Sequence, residues 1–154
     1  MKNEQKSAIT TTNQVRAEVG ENSLQASIQA GKHEMIADEP ESLGGKDTGP
    51  EPFDYLLSAL AACTTITLRM YADRKDWPVS MINAVVSLLK EEAGDAVELE
   101  KNPVKKLQTN ITVTGNLTDD QVLRLLEIAK KCPVHKAILP AFKIVTEIRL
   151  AQPK

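Results

Sequence analysis

The stretch "DYLLSALAACTTITLRMYA", Asp54 to Ala72, decides the fold, because it is the most apolar part of the chain and carries a cysteine, Cys63, near its middle. Pro52 suits a first helical position, and Glu51 and Asp54 put negative charge at the positive end of the helix dipole. At the other end the residue before Pro78 is pushed out of helical geometry. The spacing therefore predicts a helix from Pro52 to about Lys75. Ser58, Thr64, Thr65, Thr67 and Arg69 interrupt the apolar run and no second candidate follows, so it reads as a buried helix and no membrane partner is expected. A helix apolar nearly all round needs partners on every side. The sheet available from one chain covers only part of it, so a homodimer is expected.

Outward from that helix the pattern is clear. Residues 1–12 are polar and without period, a frayed N-terminal segment, and 13–154 read as one domain. "QVRAEV" and "SLQASIQA" alternate apolar with polar around "GEN", which gives two strands and a hairpin turn, and "KHEMIAD" supplies a third strand. The segment from Glu39 to Pro52, dense in Gly, Pro and acid, is a loop whose glycines form turns. Beyond the helix, "MINAVVSLLKEE" is a strand and "AGDAVELEKNP" a charged connection. "KKLQTNITVTG" places Leu107, Thr109, Ile111 and Val113 on one face of a further strand. Thr118 and Gln121 make a capping box for a second helix, with Val122, Leu125, Leu126 and Ala129 at helical spacing. A short helical turn, "VHKAILP", and a last strand, "KIVTEIRL", complete the order. Segregated hairpins with two main helices argue for an α+β fold with antiparallel sheet.

Composition narrows the function. The chain has 154 residues, a formal net charge of -2 and 3% aromatic residues. It offers neither an overall positive field for a phosphate backbone nor stacking platforms for bases, so nucleic acid is not an expected partner. No apolar leader opens the sequence, and two cysteines with a pI near 5.7 point to a reducing cytoplasm, where thiols serve redox or metal chemistry.

The two thiols read differently. Cys63 lies several turns inside its helix, beyond help from the dipole, and apolar surroundings alone would keep it inert; activation must come from threonine hydroxyls or a basic residue elsewhere. From spacing alone, Cys63 reads first as a structural core cysteine, since free cysteine is among the most buried residue types. Cys132 ends the second helix behind Lys130 and Lys131, where a helix C-terminus discourages ionisation, which suits a resolving thiol. Cys132 and His135 also form half of a zinc motif that Cys63 and His33 would have to complete, a weak pattern, and no metal is expected. His33 and His135 otherwise read as solvent-facing or hydrogen-bonded structural residues. "SLGGKDTGP" lacks the order of a phosphate-binding loop.

The run "HEMIADEPESLGGKDTGPEPFDYLLSALAACTTITLRMYADRKDWPV", with "CPVHKAI" behind it, resembles the OsmC/Ohr family, in particular its OsmC-like branch, over about Gln14 to Leu150. The resemblance implies antiparallel sheets enclosing two central helices in an intertwined homodimer. It implies thiol-dependent reduction of organic hydroperoxides in oxidative-stress defence, without a bound cofactor. Cys63 would attack, Cys132 would resolve, and an external dithiol or lipoylated protein would restore both. Catalytic members carry a Glu ten residues ahead of the attacking cysteine, paired with an Arg; here that position is Phe53. Asp54 is the nearest acid, but nine residues at about 100° each place it roughly opposite Cys63 on a continuous helix. Arg16, on the first strand, is the candidate cation. Two other functions remain open: binding of a hydrophobic small molecule in the dimer pocket, or a thiol redox sensor.

Overall fold

Residues 13–89 and 106–151 are described by the structure, a computed structural model. The readings of 1–12 as a frayed segment and of "AGDAVELEKNP" as a charged connection lie outside the described residues. The chain forms two compact units, Met1–Asp54 and Tyr55–Lys154.

In the first unit, β1 (Val15–Val19), β2 (Ala26–Ala30) and β3 (His33–Ala37) pair antiparallel in chain order. β2 turns directly into β3 through Gly31 and Lys32, and Gly31 takes a φ of 61° that only glycine adopts at little cost. The β1–β2 connection is longer than the expected "GEN" turn. Ser23 accepts the Gln25 N–H at 3.1 Å, a local side-chain bond that competes with strand pairing, and β2 begins only at Ala26.

The loop after β3 is built on Asp38, whose carboxylate is buried. It accepts the Glu39 N–H at 2.9 Å, the Lys46 N–H at 3.1 Å, the Thr48 N–H at 3.2 Å and the Thr48 hydroxyl at 2.8 Å. The Thr48 hydroxyl above all, helped by these N–H groups, holds the Asp38 carboxyl below its ordinary range. Glycine serves close approach here as much as turning. A Cβ on Gly45 would lie 1.8 Å from the Glu39 carbonyl oxygen, and one on Gly49 would lie 2.5 Å from that of Ile36.

The long helix α1 runs from Pro52 to Arg74, as the sequence predicts. Its end is closed by Asp76 at a φ of 52° and by the Trp77 N–H donating to the Ala72 carbonyl at 3.0 Å, a left-handed cap that acts before Pro78 is reached. Among the described residues no helix is long and apolar enough to cross a membrane.

In the second unit β4 (Val79–Leu89), β5 (Lys106–Gly115) and β6 (Lys143–Ala151) form a sheet in that order. β4 and β5 pair antiparallel, but β5 and β6 are parallel, which corrects the expectation of purely antiparallel sheet. The reason is the crossover: α2 (Asp119–Ala129) and α3 (Pro133–Ile138) carry the chain back so that β6 starts at the same end as β5. The Thr118–Gln121 capping box that opens α2 is complete in both directions.

Two apolar clusters make the core of this unit. One gathers Leu68, Tyr71, Ile111, Val113, Leu125, Ile128 and Ala129; the other gathers Leu60, Leu107 and Cys132, with Cys63, Val86 and Ile144 against them. Between them lies a threonine layer. Thr64 separates Leu60 from Leu68 on α1, Thr109 separates Leu107 from Ile111 on β5, and Thr146 separates Ile144 from Ile148 on β6. Thr109 and Thr146 face each other in register, and their buried hydroxyls have no protein hydrogen-bond partner. A buried hydroxyl without a partner costs about 1–3 kcal/mol. Thr109→Val keeps the shape and removes the hydroxyl, so urea unfolding should show a stability gain of about 1 kcal/mol; a loss of that size would mean the hydroxyl is bonded in solution.

Candidate functional site

The second unit brings together the two thiols that lie far apart in the chain. Cys63 stands on α1 beside the buried face formed by Leu60, Thr64 and Leu68, and is half-buried. Cys132 lies between α2 and α3, its side chain wholly enclosed with Leu60 and Leu107. The local sequence explains its place. Lys130 ends α2, and Pro133, which lacks an N–H to lose, opens α3 directly after the cysteine.

Cys132 and Cys63 meet in one apolar cluster, and the neighbouring Cys63 side chain helps to keep the proton on Cys132. Burial first, and then this neighbour, push the Cys132 thiol up, against the N–H groups of Val134 and His135, which favour its thiolate. The expectation that Cys132 resists ionising therefore holds, but for a different reason. Burial and its sulfur neighbour do the work, while the backbone of α3 acts the opposite way from the end of α2. Chemically, an enclosed sulfur that keeps its proton adjoins a second, half-buried sulfur inside an oily wall.

His135 is 7% exposed rather than solvent-facing. Burial, and secondarily the Lys130 ammonium, lower its pKa, so it is neutral at physiological pH. His33 lies exposed on β3 of the first unit. Among the described residues, no three His, Cys, Asp or Glu side chains form a group able to hold a metal ion.

The other nominated residues have local partners. Arg16 sits exposed on β1, paired with Glu18 on the same strand. The Asp54 carboxylate accepts the Glu51 N–H at 3.2 Å, as a first-turn acid at a helix start does. Arg69, at the far end of α1, donates to the Val79 carbonyl at 2.8 Å and pairs with Asp73 at 3.1 Å, tying the helix to β4. The residues that sequence reading passed over are Leu60 and Leu107, which wall the cysteines. Both lie on apolar faces legible in the sequence, yet nothing in that pattern says that they meet the thiols.

Comparison with known proteins agrees with this architecture. The family profile described as OsmC-like protein matches residues 45–147. The chain belongs to the OsmC-like family. Its fold is shared with an OsmC-like protein from Mycoplasma pneumoniae, at a TM-score of 0.73 and 15% identity, covering 95% of this chain and 100% of that one. An organic hydroperoxide resistance protein OsmC from Legionella pneumophila is similar at a TM-score of 0.62 and 16% identity, over 92% and 98% of the two chains. An organic hydroperoxide resistance protein from Elizabethkingia anophelis is similar at a TM-score of 0.66 and 17% identity, over 93% and 99%. A comparison with curated protein sequences returns no match.

The histidine gives a prediction about pH. A folded pKa below the unfolded value of about 6.5 means that the unfolded chain binds more protons in that window, so stability falls as pH drops through it. Denaturant unfolding at about pH 5 and about pH 8 should show lower stability at the acid end, and His135→Gln should remove that part of the difference. An unchanged difference in His135→Gln would place the titration elsewhere.

Proposed function

We propose that this OsmC-like protein is a thiol-dependent reductase of organic hydroperoxides, with Cys63 attacking and Cys132 resolving. The observation that carries the reading is the meeting of the two thiols in one apolar cluster, Cys63 half-buried and Cys132 enclosed. Resistance to organic hydroperoxides, named for the Legionella and Elizabethkingia proteins of this fold, agrees with it.

In this reading the Cys63 thiolate attacks the distal peroxide oxygen. The O–O bond breaks, the alkoxide takes a proton and leaves as alcohol, and Cys63 becomes a sulfenic acid. Cys132 condenses with it, the S–O bond breaks, water leaves and a disulfide remains. An external dithiol, free or carried as a lipoyl group on a protein, returns two electrons by exchange. Leu60, Leu107, Leu57 and Val86 around the sulfurs favour an alkyl hydroperoxide over hydrogen peroxide, since each Å² of apolar surface buried contributes about 25 cal/mol. The working form is a homodimer. Ala62, Ile66 and Met70 make an exposed stripe on α1 opposite its buried face, with Ile66 59% and Met70 68% exposed, and a second copy would cover it.

One observation favours a second reading, a redox sensor. Phe53 stands where catalytic relatives have Glu, and both nominated substitutes have partners, Arg16 with Glu18 and Asp54 with the Glu51 N–H. A sensor would form the disulfide once for each oxidant pulse and would not turn over.

With tert-butyl hydroperoxide and a dithiol present in excess, the wild-type protein should consume peroxide over many turnovers, and Cys63→Ser should consume none above the protein-free rate. Consumption that stops at one peroxide per cysteine pair would support the sensor. Equal rates in wild type and Cys63→Ser would end both readings. In sedimentation or light scattering the wild type should run as a dimer, and Ile66→Glu should weaken it; a wild-type monomer would refute the assembly.

A further inference from the structure

The sheet of the second unit turns one face to α1 and the other away from it. Ile82, Ile111 and Ile148 belong to the core, so the residues that alternate with them on β4, β5 and β6 make the outer face. Two rows of that face cross all three strands in register: Asn83, Thr112 and Arg149 in one, Val85, Asn110 and Glu147 in the other. These six line a cavity of about 480 Å³, inside the range of roughly 300–1,000 Å³ that small-molecule sites occupy. A second copy seated on the Ala62–Ile66–Met70 stripe leaves it open. The core and α1 stand between that stripe and the outer face of the sheet.

Opposite charges meet this cavity and do not pair with each other. Glu147 and Arg149 are two residues apart on one face of β6, about 6.7 Å along the strand, yet no ion pair joins them. Arg149 turns across the sheet instead, its Nε–H donating to the Thr112 hydroxyl at 2.9 Å. That bond holds the guanidinium away from the carboxylate and leaves its terminal nitrogens without a partner among the described residues. Among the described residues the Glu147 carboxylate and the Asn83 amide have no hydrogen-bond partner either. Asn110 accepts from the Gln108 amide at 3.2 Å through Oδ1, which keeps its own NH2 group as a donor.

We propose that this outer-sheet cavity binds a free α-amino acid with an apolar side chain. A fixed cation and a fixed anion side by side on one strand match a ligand whose carboxylate and ammonium share one carbon. The carboxylate takes the terminal N–H groups of Arg149, whose planar fork suits it, and the ammonium donates to Glu147. The ligand's side chain then crosses Asn110 toward β4, two strands and about 9–10 Å away. Val85, 53% exposed, receives it there, and this apolar end selects against small or polar side chains. The thiols belong to a cluster on the inner face of the sheet, so the site is distinct from theirs and does not depend on the hydroperoxide reading.

The experiment is an amide NMR titration of the wild-type protein at low salt with L-phenylalanine, N-acetyl-L-phenylalanine, L-phenylalanine amide and glycine. Phenylalanine should give saturable shifts centred on Asn83, Asn110, Thr112, Glu147 and Arg149. The acetylated compound lacks the ammonium and the amide lacks the carboxylate, so each should bind about tenfold more weakly, the loss expected for one charge-assisted hydrogen bond. Glycine should bind more weakly than phenylalanine. Arg149→Gln and Glu147→Gln replace exposed side chains; each should keep the wild-type melting temperature and lose phenylalanine binding. The absence of saturable shifts, equal binding of all four compounds, or shifts centred on Cys63 overturns the proposal, as does unchanged binding in both variants.

Discussion

Enclosure of the Cys132 sulfur by Leu60 and Leu107 is the constraint on which the rest of the site depends. Within that wall a charge has little solvation, so the thiol keeps its proton beside the sulfur of Cys63. The parallel crossover makes this possible. α2 and α3 return the chain to the end of the sheet where Leu107 and Ile144 lie, and the break between the two helices leaves Cys132 facing inward.

The core of the second unit is divided by its threonines. On one side, Leu68, Ile111, Val113 and Leu125 form a packed cluster without reactive groups, sealed by Tyr71 and by the Arg124 guanidinium that donates to its hydroxyl at 3.1 Å. On the other, the apolar cluster contains both thiols. The thiols thus lie toward one end of the sheet, and the buried hydroxyls of Thr109 and Thr146 mark the border between the two clusters. A core designed for stability alone would carry valine at both positions.

Membership of the OsmC-like family comes with identities of 15–17% to the solved relatives described above, a likeness that shows the fold. Fold is maintained by pattern, since apolar faces at the right period tolerate exchange among Leu, Ile and Val. Thiol activation, by contrast, depends on single side chains in single places. The wall around the sulfurs and the meeting of the two thiols within it are therefore stronger guides to this chain's chemistry than the likeness alone.

Much of the architecture was legible in residue order. The period of "KKLQTNITVTG", the Thr118–Gln121 capping box and the apolar length of α1 each determine an element, because helix and strand geometry act over a few residues. Local chemistry likewise placed Asp54 at a helix start. Only the tertiary structure decided what depends on distant segments meeting. That β6 runs parallel to β5 follows from where the crossover helices find apolar cover. Asp38, read as the end of a strand, proved to be the anchor of the loop because Lys46 and Thr48 fold back onto it. His135, read as solvent-facing or as a hydrogen-bonded structural residue, is buried, since α3 turns its face inward. Sequence by itself named the two cysteines and guessed their division of labour. Packing placed them in one apolar cluster, Cys132 enclosed and Cys63 half-buried, because burial depth is a property of neighbours in space and not of neighbours in the chain.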